Sequence, residues 1–182
     1  MGREHSDVVG RMYALEKTAT DTIVKLVLDQ ITCTNGMGWT ADGTKMYFTD
    51  SWTKEIAQFD YSSSGELSNR RTFSLLEDDA YGEPDGLCMD SDGGAWSARW
   101  ESGKVLRFNP EGKITDEIDF PTAWNITCVV FGGDDLDELY VTTALTEYNG
   151  DFSKRERCDG GALFVVKNLG YSGVERHRFN DV

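Results

Sequence analysis

The stretch Asn35-Gly-Met-Gly-Trp-Thr-Ala-Asp42-Gly43 has an echo about fifty residues on, Asp85-Gly-Leu-Cys-Met-Asp-Ser-Asp92-Gly93. Each copy sets a small polar residue before glycine, runs through apolar residues and turns at Asp-Gly. A strand with aromatic residues follows in both: Lys45-Met-Tyr-Phe-Thr-Asp50 in the first, Ala95-Trp-Ser-Ala-Arg-Trp100 in the second. A weaker third copy starts at Thr127-Cys-Val-Val-Phe-Gly-Gly133 and continues into Glu138-Leu-Tyr-Val-Thr-Thr143. Self-similarity at a period of about 40–50 residues, with short strands and turn signals in each unit, is the signature of β-propeller blades. No helical period of any length appears, so the expected class is all-β.

Outward from these copies, alternation and β-branched content predict strands over 10–17 and 22–28, the outer strands of a blade whose beginning is not in this chain. The first full unit predicts strands over 36–40, 46–50, 55–61 and 68–75, with a tight hairpin at Asp42-Gly43, where glycine tolerates positive φ. The second predicts 87–90, 95–99, 103–109 and 114–120, and the third 126–131, 138–143, 161–167 and 174–179. The connection 144–160 is charged and reads as an insertion near one mouth of the channel. Residues 1–9 are expected to fray, leaving 10–182 as one incomplete propeller domain of three to four blades.

The bulk numbers narrow the chemistry. The 182 residues are 39% hydrophobic and 12% aromatic, enough for a core. A net charge of −14 argues against a nucleic-acid partner, because no basic patch stands out to neutralise phosphates. It is compatible with cation binding, and equally with acidic loops that keep the chain soluble. The four cysteines, Cys33, Cys88, Cys128 and Cys158, show no CxxC and no metal-ligand spacing; Cys88 and Cys128 read as buried reduced thiols. No run approaches a membrane span, and the first ten residues lack the apolar core of a signal peptide, so a cytoplasmic location without membrane contact is expected. The Asn125-Ile-Thr127 sequon is then expected to stay unmodified, and Met1-Gly2 with Ser6 is a formal but weak myristoylation pattern.

Nucleophile machinery is missing from the pattern. There is no G-x-S-x-G elbow, no Gly-rich phosphate loop, and the two histidines, His5 and His177, are too far apart for a histidine metal site or triad. Asp90-Ser-Asp92-Gly begins like a calcium loop but lacks the Glu at the required spacing, so a hairpin turn is the better account. The acidic run Glu77-Asp-Asp79 reads as a solvated loop. What remains is oxygen chemistry. The first strands of successive propeller blades line a central channel, and Asn35 and Asp85 hold equivalent positions there, each followed by Gly. One amide oxygen and one carboxylate aimed at a common point suit a hard cation such as Ca²⁺. The competing reading is that Asn-Gly and Asp-Gly are turn dipeptides that recur with the repeat. Thr127 stands at the third such position. Trp52, Trp100 and Trp124 fall near the channel mouth on this scheme, although packing between blades also accounts for them.

Asn35-Gly-Met-Gly-Trp, Phe48-Thr-Asp-Ser51, Phe59-Asp-Tyr61, Ser68-Asn-Arg-Arg71, Pro84-Asp-Gly-Leu-Cys-Met-Asp90, and Phe131-Gly-Gly133 with Leu139-Tyr-Val-Thr142 together resemble the gluconolactonase, regucalcin (senescence marker protein) and luciferin-regenerating-enzyme family. The likeness covers nearly all of residues 10–179. It implies a six-bladed propeller with a divalent metal in the channel, Ca²⁺ first and Zn²⁺ or Mn²⁺ as alternatives, and hydrolysis of sugar or related lactones. By resemblance, Asn35 and Asp85 are metal ligands and Asp85 is also the catalytic base. The family's third ligand, a Glu, and its substrate-gripping Arg and Asn come from blades before the region present, so the chain resembles the carboxyl-terminal three-fifths of a member. The resemblance therefore implies a truncated product of impaired activity, its cation held mostly by water. Two other outcomes are open: a non-catalytic calcium-binding or regulatory protein, and a fragment that associates with another chain, or with itself, through exposed blade edges.

Overall fold

The computed structural model describes residues 8–18, 20–145 and 159–175. Among them are thirteen β-strands, two single-turn 3-10 segments and no α-helix. The strands are β1 (Gly10–Lys17), β2 (Thr22–Ile31), β3 (Thr34–Trp39), β4 (Lys45–Asp50), β5 (Glu55–Tyr61), β6 (Leu67–Leu75), β7 (Glu83–Met89), β8 (Ala95–Trp100), β9 (Lys104–Phe108), β10 (Ile114–Asp119), β11 (Asn125–Gly132), β12 (Glu138–Ala144) and β13 (Leu163–Val166). The all-β expectation holds.

Each strand pairs antiparallel with its neighbour in sequence. The result is a two-stranded sheet β1-β2, four-stranded sheets β3-β4-β5-β6 and β7-β8-β9-β10, and a three-stranded sheet β11-β12-β13. Short connections make this economical, because an antiparallel pair needs only a tight turn. Gly43, with φ +64, and Gly93, with φ +79, close the turns that follow Asp42 and Asp92. Successive sheets lie face to face, with β3 packed on β7, and β11 packed on β7 and β8.

The core lies between those faces. Met46, Phe48, Ala57 and Phe59 meet Met12 and Leu28 of the first hairpin. Tyr47, Ile56, Leu87, Leu106 and Phe108 fill the next layer. Trp96, Val105, Ile126, Val129, Leu139 and Val141 fill the third, where Trp96 meets Phe131 edge-on at 5.8 Å. Alternation along each strand supplies both layers at once, which is why the central strands are buried on both faces.

Three expectations are corrected or bounded. Val174 and Glu175 are not in a strand; Gly173 makes a single bridge to Asp90, and the remainder of 174–179 lies outside the described residues. So do most of the 144–160 connection, Cys158, both histidines and the Met1-Gly2 pattern. Cys128 is exposed rather than buried. A register shift between Ile126 and Cys128 puts one extra residue into β11, and the slip turns Cys128 to the opposite face from Ile126 and Val129. Cys88 is buried as expected.

Candidate functional site

The first strands of three sheets carry a β-bulge at the same place. Pairing shifts by one residue between Thr34 and Met37 on β3, between Pro84 and Leu87 on β7, and between Ile126 and Cys128 on β11. The extra residues fall at Asn35-Gly36, at Asp85-Gly86 and at Thr127. A bulge re-aims one side chain out of the regular pleat, and such features gather beside functional sites.

Glycine then brings the bulged strands together. A Cβ on Gly36 would stand 2.4 Å from the Leu87 backbone nitrogen and 2.6 Å from the Asp85 carbonyl oxygen. A Cβ on Gly86 would stand 2.6 Å from the Cys128 Cα and 2.7 Å from the Thr127 carbonyl oxygen. Any side chain at either position would force the strands apart. Asn35 and Asp85 are consequently adjacent, across two sheets.

Their surroundings are polar and half-buried. The Asn35 amide donates to Ser51 Oγ at 3.2 Å and also lies against the Asp85 carboxylate. Burial pushes the Asp85 carboxyl up to about 6; the Asn35 amide and the Gly86 N–H oppose this, and the nearby Glu83 carboxylate adds to it. Glu83 and Asp85 are two apart on one strand. Burial likewise raises the Cys33 thiol, against a hydrogen bond with Ser51 and in concert with the charges of Asp50, Asp85 and Glu83. Asp50 fixes the entry to β3, accepting from the Thr32 N–H at 2.9 Å and the Cys33 N–H at 2.8 Å, and from the Thr32 hydroxyl. On the far side, buried Arg99 donates through Nε to the Tyr81 carbonyl at 2.8 Å and through Nη2 to the Gly82 carbonyl at 3.1 Å. Burial lowers its guanidinium to about 10, and Glu83 opposes that shift.

The donor set is a carboxylate, an amide and a second carboxylate two residues away, all oxygen chemistry of the kind a hard divalent cation takes. Among the described residues no three His, Cys, Asp or Glu side chains are grouped as a metal site. Sequence reasoning misses Glu83, because the strand it predicts begins at Leu87, four residues later. Alternation two residues back from Asp85 was the available signal.

The other candidates fall into place as structure. Asp90 accepts from the Gly94 N–H at 2.7 Å, from Trp96 Nε1 at 2.9 Å and from Arg107 Nε at 2.7 Å, so Asp90-Ser-Asp92-Gly is a hairpin turn sealed by a buried ion pair. Asp78 caps a 3-10 turn by accepting from the Ala80 N–H at 2.9 Å, and Asp79 pairs with Lys54 at 2.5 Å. Asn125 of the sequon is buried, its Oδ1 accepting from the Glu101 N–H at 3.2 Å. Trp100 pairs in register with Glu83, Trp52 lies in the 3-10 turn beside Ser51, and Trp124 is exposed. No helix among the described residues is long and apolar enough to cross a membrane.

Comparison with known proteins gives a consistent likeness. The family described as the SMP-30/gluconolactonase/LRE-like region matches residues 1–145. L-arabinolactonase from Azospirillum brasilense is 37% identical over 178 residues, covering 98% of this chain and 57% of that protein. Regucalcin from Oryctolagus cuniculus is 34% identical over 172 residues, 93% of this chain and 56% of that protein. A solved luciferin-regenerating enzyme superposes with a TM-score of 0.79 at 28% identity, over 95% of this chain and 57% of that one. The chain thus spans a little over half the length of the relatives it matches.

Proposed function

The chain belongs to the SMP-30/gluconolactonase/LRE-like family, and from that premise we propose that it carries part of a lactone-hydrolysing centre built on Asp85 and Asn35 in an incomplete six-bladed propeller. The observation that carries the proposal is the meeting of these two side chains across neighbouring sheets, with the carboxyl held up to about 6 by burial. Perturbed groups of this kind concentrate at functional sites, and a cation bound beside this carboxyl would draw it back down.

Asp85 and Asn35 are the residues that would hold a divalent cation, Ca²⁺ in the first instance. Such an ion, when bound, polarises a lactone carbonyl as a Lewis acid. Asp85 would accept the proton of water as its oxygen bonds to the acyl carbon, and return that proton to the ring oxygen as the ring C–O bond breaks. Asn35, a neutral donor, keeps the charge at the centre low and orients Asp85 through its amide. Ser51 in turn fixes the Asn35 amide. A second reading keeps cation binding at the same two residues without turnover, as a calcium-binding or regulatory protein would.

One experiment separates the two. Hydrolysis of δ-gluconolactone and L-arabinolactone by the purified chain is measured with and without added Ca²⁺, Zn²⁺ or Mn²⁺, for wild type and Asp85→Ala. Cation-stimulated turnover lost in Asp85→Ala supports the lactonase reading. Cation binding without turnover supports the second, and equal rates for the two proteins remove Asp85 from catalysis.

A further inference from the structure

Two side chains stand at the same place in neighbouring sheets and carry opposite charge. Asp50 on β4 is the register partner of Thr34, and Arg99 on β8 is the register partner of Pro84. Thr34 and Pro84 are the last paired residues before the bulges at Asn35 and Asp85. Each of the two side chains holds the pair of residues that precedes the bulged strand. Asp50 accepts from the Thr32 and Cys33 N–H groups at 2.9 and 2.8 Å, just ahead of β3. Arg99 donates to the Tyr81 and Gly82 carbonyls at 2.8 and 3.1 Å, just ahead of β7. The segment it holds has no slack: a Cβ on Gly82 would stand 1.9 Å from the Trp100 carbonyl oxygen.

The sign of the clamp follows the strand it holds. β3 opens with Thr34 and Asn35, both neutral, whereas β7 opens with Glu83-Pro84-Asp85. Glu83 acts on Asp85 as a like charge, and a carboxylate at position 99 would add a third. Arg99 is 1% exposed, and the Glu83 carboxylate opposes the effect of burial on its charge. A buried cation is costly to take from water. Neutral amide donors could serve two carbonyls, but they could not offset two carboxylates.

We infer that Arg99 is a positioning residue of the proposed centre: its fork fixes the entry to β7, and its charge offsets the repulsion between Glu83 and Asp85 in the cation-free chain. Only the kinetic consequence rests on the reading of Asp85 as the proton acceptor.

A double-variant cycle in urea at pH 7.5, without substrate or divalent cation, tests the charge. It compares wild type, Glu83→Gln, Arg99→Met and the double variant. Glu83→Gln should lower the folding equilibrium in the wild-type background, where it removes an anion that faces Arg99. In the Arg99→Met background the same change should raise it, with a coupling of about tenfold. If Arg99→Met alone does not fold, the double variant should. Arg99→Lys keeps the charge and loses the fork, so it should exceed Arg99→Met in stability and gain nothing from Glu83→Gln. Coupling below about twofold, or a double variant as unfolded as Arg99→Met, would make Arg99 a backbone clamp only and overturn the inference. With δ-gluconolactone at saturating Ca²⁺, Arg99→Lys should lower kcat roughly tenfold with KM little changed, as a misplaced base would; a change in KM alone would overturn the positioning role. A wild type without turnover would strike the lactonase reading, and the cycle, which needs no substrate, would then decide this inference by itself.

Discussion

The side-chain amide of Asn35 lies against the carboxylate of Asp85, and the contact crosses from one sheet to the next. It depends on Gly36, whose missing Cβ leaves room for the β7 backbone. Gly36→Ala would place a carbon 2.4 Å from the Leu87 nitrogen, and backbone cannot swing aside as a side chain can. The expected cost is about 1–3 kcal/mol of stability, the usual range for overpacking, together with loss of cation binding. Gly86→Ala should behave alike through Cys128. Gly43→Ala, with nothing within 4 Å of its Cβ, should show only the smaller cost of its positive φ. Urea denaturation of the three variants checks this ordering; equal stability of Gly36→Ala and wild type would mean the strands are not so close.

Asp85→Asn keeps the shape of the side chain and removes its charge and basicity. If Asp85 accepts the proton of water, lactone turnover should fall on the order of 10²-fold or more, as for loss of a general base. Asn35→Ala should weaken divalent-cation binding by roughly tenfold, the equivalent of about 1.4 kcal/mol, while retaining part of the turnover at saturating cation. Calorimetric titration with Ca²⁺ and initial-rate kinetics read the two effects separately. A variant pair with the reverse pattern would exchange the roles assigned to these residues.

Asp90 makes a third prediction, about the fold rather than the site. It is almost wholly buried and satisfies Arg107, which also stands 4.0 Å from the centre of the Tyr171 ring. Asp90→Ala takes the buried partner from that guanidinium and leaves it only the more exposed Asp116, 3.7 Å away; breaking a buried pair from one side costs about 3–5 kcal/mol. The expected result is a protein unfolded, or close to it, at 37 °C. A double variant, Asp90→Ala with Arg107→Met, should recover much of the loss. Calcium should stabilise the double variant as much as wild type, because Asp85 is intact in both; calcium stabilisation that disappears with Asp90 would revive its reading as a calcium loop.

Much of this architecture could be read from residue order. Glu55–Tyr61 came out with its observed bounds because alternation and flanking turns agreed there. The first strands did not. Local chemistry makes Asn35-Gly and Pro84-Asp-Gly turn signals, so the strands were expected to begin at Gly36 and Leu87, whereas β3 begins at Thr34 and β7 at Glu83. The deciding interactions are non-local: a glycine is needed at each bulge because the backbone of the next sheet presses on it, and no window of sequence contains both strands. The same cause hid Glu83 from the site and turned Cys128 outward. The pairing of Asn35 with Asp85, by contrast, was legible, because a repeat places equivalent residues at equivalent positions.

The last prediction concerns pH. An aspartate in the unfolded chain has a pKa near 3.8, and in the folded protein that of Asp85 lies at about 6. The folded state therefore binds the proton more tightly, and ionised Asp85 opposes folding. Below 3.8 both states are protonated and the cost is absent; it grows as pH rises through the interval and is complete above about 6. Asp85→Asn should accordingly stabilise the cation-free protein at pH 7.5, and the advantage should shrink as pH falls toward 4.5. Adding Ca²⁺ should reverse the order, because a ligand that binds only the folded wild type stabilises it by mass action and leaves the variant unmoved. Denaturant midpoints at the two pH values, with and without Ca²⁺, check all three statements. If Asp85→Asn destabilises the protein equally at both pH values and Ca²⁺ shifts neither protein, the carboxylate is a structural hydrogen-bond acceptor and the proposed centre is not there.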